Sequence, residues 1–179
     1  MTGASHAAIG ALAGAALGRL SGAPDPLLAL AGAAGALLPD LDQPGSKAWR
    51  HVLPYAAATI ALVHFAAIPV PTQLSALAWL AIAFLAGGIL THHRGITHSL
   101  LALGSAGIGL AAAGTGLHGA AIWLGLLTHI AADSLTPEGT RLLWPLTHRY
   151  SVPVLRTGSP ADIALGAGSA ITAALLLLR

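Results

Sequence analysis

The sequence predicts an all-α, polytopic transmembrane helical bundle, and three observations lead there. Of the 179 residues 55% are hydrophobic and only 8% charged, with a mean hydropathy of +0.77. The apolar residues gather into about six to seven runs, at 6–20, 26–38, 52–69, 74–91, 98–114, 119–135 and 161–178. These runs lack the polar stripe that a water-facing helix carries opposite its buried face. Lipid is therefore the expected solvent for most of a single integral-membrane domain spanning residues 1–179.

Each element follows in order. The first run carries His6 and Arg19, and the preceding Met1–Ser5 has no basic n-region, so it reads as a retained helix rather than a signal peptide. Ser21 to Pro26 breaks it with Gly and Pro. The second run, Pro26 to Leu38, is far shorter than the roughly 20 residues of an ideal span and suits a half-helix or re-entrant piece. Pro39 to Pro54 forms a loop that opens on Asp40 and Asp42. The third and fourth runs are separated by Pro69-Val70-Pro71, and the fifth and sixth by Gly114-Thr115-Gly116. The connection 136–160 is long for an idle turn and suits a site cover. Frequent Gly and Ala on the runs permit close helix packing.

Alternating the runs across a bilayer places the 39–51, 92–97 and 136–160 connections on one side. That side holds Lys47, Arg50, Arg94, Arg141, Arg149 and Arg156, against Arg19 and Arg179 on the other. By the positive-inside rule it is cytoplasmic, which makes this a multi-pass protein of the inner (plasma) membrane.

The same face collects the ionisable residues. His6, Asp40, Asp42, His93, His98, His129 and Asp133 all fall there, although they come from four separate regions. His129 and Asp133 are an i, i+4 pair on one helical face. Asp40 and Asp42 are two of only six acidic residues. Within His93–His98, Gly95 allows a tight turn and Thr97 is placed to cap the next helix. Arg94 is a cation suited to gripping phosphate. His148 and Arg141, in the long connection, are candidate substrate or general-acid groups. His51, His64 and His92 lack a partner pattern, and His118 falls on the opposite side. The chain has no cysteine, so any metal is held by nitrogen and oxygen. It has one glutamate, Glu138, and no HExxH, GxSxG or phosphate-binding glycine loop, which excludes Glu-rich di-iron, zincin, serine-hydrolase and P-loop chemistries. No basic tract with interleaved aromatics points to nucleic acid.

With more His and Asp ligands than one ion needs, the set suits one or two divalent ions, zinc or manganese, activating water for hydrolysis. In that expectation Asp40 or Asp42 is the base or bridging ligand, Arg94 and Arg141 hold a phosphate, and the substrate is a lipid or lipid-linked phosphoester entering from the membrane. A metal-ion or small-solute transporter would use the same ligands, but would need polar groups continuing across the bilayer. A scaffold with a structural ion is a third reading.

The motifs Leu37-Leu38-Pro39-Asp40-Leu41-Asp42, His93-Arg94-Gly95-Ile96-Thr97-His98-Ser99 and His129-Ile130-Ala131-Ala132-Asp133-Ser134-Leu135-Thr136-Pro137 resemble the YdjM-type family of inner-membrane proteins. The similarity includes the His6 helix and continues through Leu142-Leu143-Trp144-Pro145. It implies a membrane-embedded, metal-dependent hydrolase. Spaced His and Asp pairs are more distantly similar to zinc-dependent phospholipase C.

Overall fold

The computed structural model describes residues 1–43, 54–55, 57–62, 69–91 and 93–178. His51, His64, His92, Lys47, Arg50, Arg179 and half of the run 52–69 lie outside them.

The described structure is helical. Its fully described helices are α1 (Gly3–Leu20), α2 (Pro26–Leu37), α3 (Thr72–Thr91), α4 (Leu100–Ala112), α5 (Gly116–Ser134) and α6 (Pro160–Leu178), and residues 54–55 and 57–62 are helical as well. Short 3-10 turns, Pro39–Asp42 and Ile96–His98, follow α2 and precede α4. Helix starts obey local chemistry. Thr2 caps α1 by accepting from Ser5 N, and Asp25 caps α2 by accepting from Leu27 N, ahead of Pro26 in the first turn. Ser99 caps α4 through Ala102 N. Thr97, expected in that role, is turned elsewhere.

The core is a helix cluster in which α2 packs between α1 and α5, while α6 lies along α1. Missing side chains make this possible. An ideal Cβ on Gly10 would sit 2.4 Å from the Gly32 carbonyl oxygen, and one on Gly125 would sit 2.1 Å from that same oxygen. One on Gly35 would meet the Ile122 carbonyl at 2.0 Å. Backbones of three helices are thus in contact, as small-residue interfaces allow. A larger apolar cluster around Leu41, Phe84, Leu85, Leu110, Ile122 and Leu126 joins α3 and α4 to this core.

Among the described residues, two helices are long and apolar enough to cross a membrane, α3 and α6. That is fewer than the six to seven spans expected. At a rise of about 1.5 Å per residue, α2 and α4 reach only roughly 18 and 20 Å, short of a hydrocarbon core of about 30 Å. In α1 and α5, polar and ionisable side chains replace part of the apolar content. Both are drawn inward, with His6, His129 and Asp133 buried.

Candidate metal centre

Four elements deliver the site. His6 stands in the second turn of α1, and His129 and Asp133 near the end of α5. Asp40 and Asp42 come from the 3-10 turn after α2, and His93, Arg94, Thr97 and His98 from the loop between α3 and α4. The glycine contacts set how closely these elements meet. An ideal Cβ on Gly88 of α3 would lie 2.4 Å from the Asp42 Cα, so the acidic turn seats directly on that helix.

His6, His98, His129, Asp42 and Asp133 are all buried, with His98 and His129 wholly inaccessible. The His6 and His129 rings stack at 3.8 Å between centroids, and His98 meets His129 edge-on at 5.1 Å. His129 Nδ1 lies 2.6 Å from the Ala36 carbonyl oxygen, which can only accept, so Nδ1 carries the hydrogen and Nε2 a bare lone pair. The Thr97 hydroxyl gives its single proton to Asp42 and faces His98 Nδ1 at 3.0 Å with a lone pair. His98 is thereby fixed in the same tautomer. The two bare Nε2 atoms stand 3.2 Å apart. Asp133 Oδ2 approaches them at 3.7 and 3.8 Å, and Asp40 Oδ1 lies 3.7 Å from His129 Nε2. Asp133 Oδ1 takes His6 Nε2 at 3.1 Å and the Met1 nitrogen at 2.8 Å. This leaves His6 Nδ1 buried with no hydrogen-bond partner among the described residues.

Two overlapping groups could hold an ion: His6, Asp40 and His129, and His98, His129 and Asp133. Asp42 and His93 stand outside both. Asp42 instead accepts from His93 Nδ1 at 2.5 Å, from Arg94 N at 3.0 Å and from Thr97 Oγ1. Burial alone would raise its pKa, but hydrogen bonds from His93 and His98 outweigh that and hold it well below the usual carboxylate range. The same bond to Asp42 raises His93, against the effect of its partial burial. Asp40 has fewer compensating partners. Burial raises it, although His6 and His98 stand nearby.

Arg94 is not a free cation. Its Nη2 pairs with Asp133 Oδ2 at 2.9 Å and its Nη1 donates to the Gly139 carbonyl at 3.1 Å. It also carries the loop's left-handed conformation, with φ of 61°. Gly95, expected to supply the turn, has φ of −84° and is required for space, since a Cβ there would lie 2.3 Å from Thr91 Oγ1. Arg141 and His148 sit in the following connection. His148 is exposed, its ring 4.7 Å from Tyr150, and no described hydrogen bond or ion pair ties it to the cluster. His118 pairs with Asp25 at 3.2 Å, away from the cluster.

Sequence reasoning missed the Ala36 carbonyl and the Thr97 hydroxyl as orienting groups. The first carries no side-chain signal at all. The second was visible only as a polar residue beside His98.

The model of the YdjM inner membrane protein family matches residues 1–178. The inner membrane protein YdjM of Escherichia coli (strain K12) is 42% identical over 71 residues, which cover 35% of this chain and 35% of that protein. The inner membrane protein YdjM of Shigella flexneri aligns over the same length at the same identity. The match therefore spans about a third of these relatives' length. No solved structure matches.

Proposed function

The chain belongs to the YdjM inner membrane protein family, and on that premise we propose that it is a membrane-embedded, metal-dependent hydrolase of a phosphoester. One observation carries the metal: two imidazole lone pairs, His98 Nε2 and His129 Nε2, face each other at 3.2 Å. Uncompensated, that contact is repulsive. Tetrahedral zinc with Zn–N of about 2.0–2.1 Å would hold two nitrogens roughly 3.3 Å apart. A shared proton would also relieve the pair, but would not account for Asp133 Oδ2 approaching both nitrogens, at 3.7 and 3.8 Å. The unpartnered His6 Nδ1 adds a further donor. The donor set of imidazoles and carboxylates fits zinc, with manganese second.

Because His129 Nδ1 is engaged by Ala36, its ring offers one nitrogen. The two ligand groups share that nitrogen and so act as alternatives around one ion, which favours a single ion over two. When bound, such an ion supplies Lewis acidity and lowers the pKa of water towards neutrality.

The protein's own groups divide the remaining work. Asp42, saturated by donors, orients His98 and the loop. Asp40 is less committed and partly open, with its pKa raised by burial, which suits the base that takes the proton from attacking water. Arg94, and Arg141 beyond it, supply positive charge for a phosphate. A lipid or lipid-linked substrate is supported by an apolar cavity of about 270 Å³, lined partly by Leu38 and Leu41 of the turn that carries Asp40 and Asp42. In this reading α3 and α6 cross the membrane within a multi-pass bundle whose site opens to the cytoplasm.

The test is elemental analysis of purified protein, followed by a phospholipid and phosphodiester panel with and without chelator. His98→Ala and Asp133→Ala should both lose metal and activity while remaining folded. Metal retained in both variants would sink the assignment. Metal-dependent solute flux in proteoliposomes without hydrolysis would favour a transporter.

A further inference from the structure

Between α5 and α6 the chain forms a hairpin closed by the Thr140–Tyr150 bridge, whose backbone hydrogen bonds measure 3.0 and 2.9 Å. Arg141 and Arg149 flank the bridge, one on each limb. They are the next residues inward from the paired Thr140 and Tyr150, and like charges on neighbouring limbs repel. The hairpin base is tied to the neighbouring loop, whose Arg94 is itself neutralised by Asp133. Arg94 donates to the Gly139 carbonyl and Arg149 to the Glu138 carbonyl, each at 3.1 Å. Arg141 Nε is buried with no hydrogen-bond partner among the described residues. Neither nearby carboxylate neutralises Arg141 and Arg149: Asp133 is taken up by Arg94 at 2.9 Å, and the exposed Glu138 stands 4.0 Å from Arg94.

The other end of the hairpin is apolar. There Leu143 and Leu146 are 45% and 59% exposed; on the connection from the bridge to α6, Val152 and Val154 are 59% and 66% exposed. The segment leads into α6, a helix able to cross a bilayer. A cationic base, an apolar tip and an adjacent span are what a headgroup-level element requires.

We propose that the 140–150 hairpin binds the phosphate of an anionic phospholipid, with Arg141 and Arg149 on the phosphate and Leu143 and Leu146 in the acyl layer. The charge pair that repels in isolation is satisfied by that one anion. The proposal concerns binding, and stands whether or not the cluster turns over any substrate.

The experiment is native mass spectrometry of the full chain in detergent, titrated with phosphatidylglycerol and phosphatidylcholine of equal chain length. Wild type should prefer phosphatidylglycerol by about thirtyfold, the scale expected of two arginines at a membrane surface. Arg141→Gln/Arg149→Gln should abolish the preference while keeping helicity and metal content. The exposed Arg149→Gln alone should reduce it, which covers failure of the double variant to fold. Leu143→Ser/Leu146→Ser should weaken both lipids. His98→Ala should lose metal and keep the lipid preference, separating this proposal from the catalytic one. Equal affinity for the two lipids in wild type overturns the proposal, as does a preference that survives Arg149→Gln unchanged. Displacement by millimolar inorganic phosphate, with no effect of the leucine substitutions, would identify a free-anion site and likewise overturn it.

Discussion

Gly125→Ala tests the link between helix packing and the metal centre. A Cβ built on Gly125 stands 2.1 Å from the Gly32 oxygen and 2.7 Å from Ala36 N, where ordinary contact begins at 3.4 Å. The obstructing atoms are backbone, so no side chain can swing away. Relief requires α5 to withdraw from α2 by about 1.3 Å, the difference between 3.4 and 2.1 Å. Overpacking of this kind costs about 1–3 kcal/mol. The same withdrawal carries His129 away from the Ala36 carbonyl that orients it at 2.6 Å. Metal sites tolerate only about 0.2 Å of misplacement, and loss of an orienting partner lowers affinity by about 10–100-fold. The assay pairs a chelator-competition titration for zinc with thermal denaturation in detergent. Gly104→Ala on α4 is the control, since nothing lies within 4 Å of its Cβ position, and it should be neutral or slightly stabilising. Unchanged zinc affinity and unchanged melting in Gly125→Ala would refute the argument that glycine contact sets the site.

Other expectations follow from single contacts. Thr97→Val keeps the volume but removes the hydroxyl between Asp42 and His98; zinc affinity should fall by about tenfold or more with helicity intact, and an unchanged affinity would remove Thr97 from the site. In metal-free protein, the Asp42 hydrogen bond raises the His93 pKa above its ordinary value. That contribution is complete below the ordinary histidine pKa and fades as pH rises through the raised one. The melting temperature should therefore decline with rising pH across that window, and His93→Gln should flatten the decline; identical slopes would contradict it. The chain contains no cysteine, so Thr157→Cys, on the exposed connection ahead of α6, reports orientation directly. A membrane-impermeant maleimide should label it in inverted vesicles and not in intact cells, and the opposite pattern would place the site outside.

The legible part of the fold was its punctuation. Pro26, Pro71, Gly114-Thr115-Gly116 and Pro160 bound helices within a few residues of where composition put them. Legibility failed at the count of spans, because hydropathy cannot tell an apolar helix facing lipid from one whose glycines face another backbone. It failed again inside the His93–Ser99 loop. There the left-handed residue is Arg94 rather than Gly95, and the cap is Ser99 rather than Thr97. Arg94 is held by contacts to Asp42, Asp133 and Gly139 that no local rule contains.

By itself the sequence determined that this chain is helical, suited to membrane, free of thiolate ligands, and furnished with His and Asp at one set of helix ends. Residue chemistry and its spacing suffice for that, since both are local. Only the tertiary structure decided which nitrogen of each imidazole is bare, which carboxylate orients and which remains free, and that Arg94 is already paired. Those outcomes depend on acceptors such as the Ala36 carbonyl, brought to His129 across 93 residues by helices that touch through glycine.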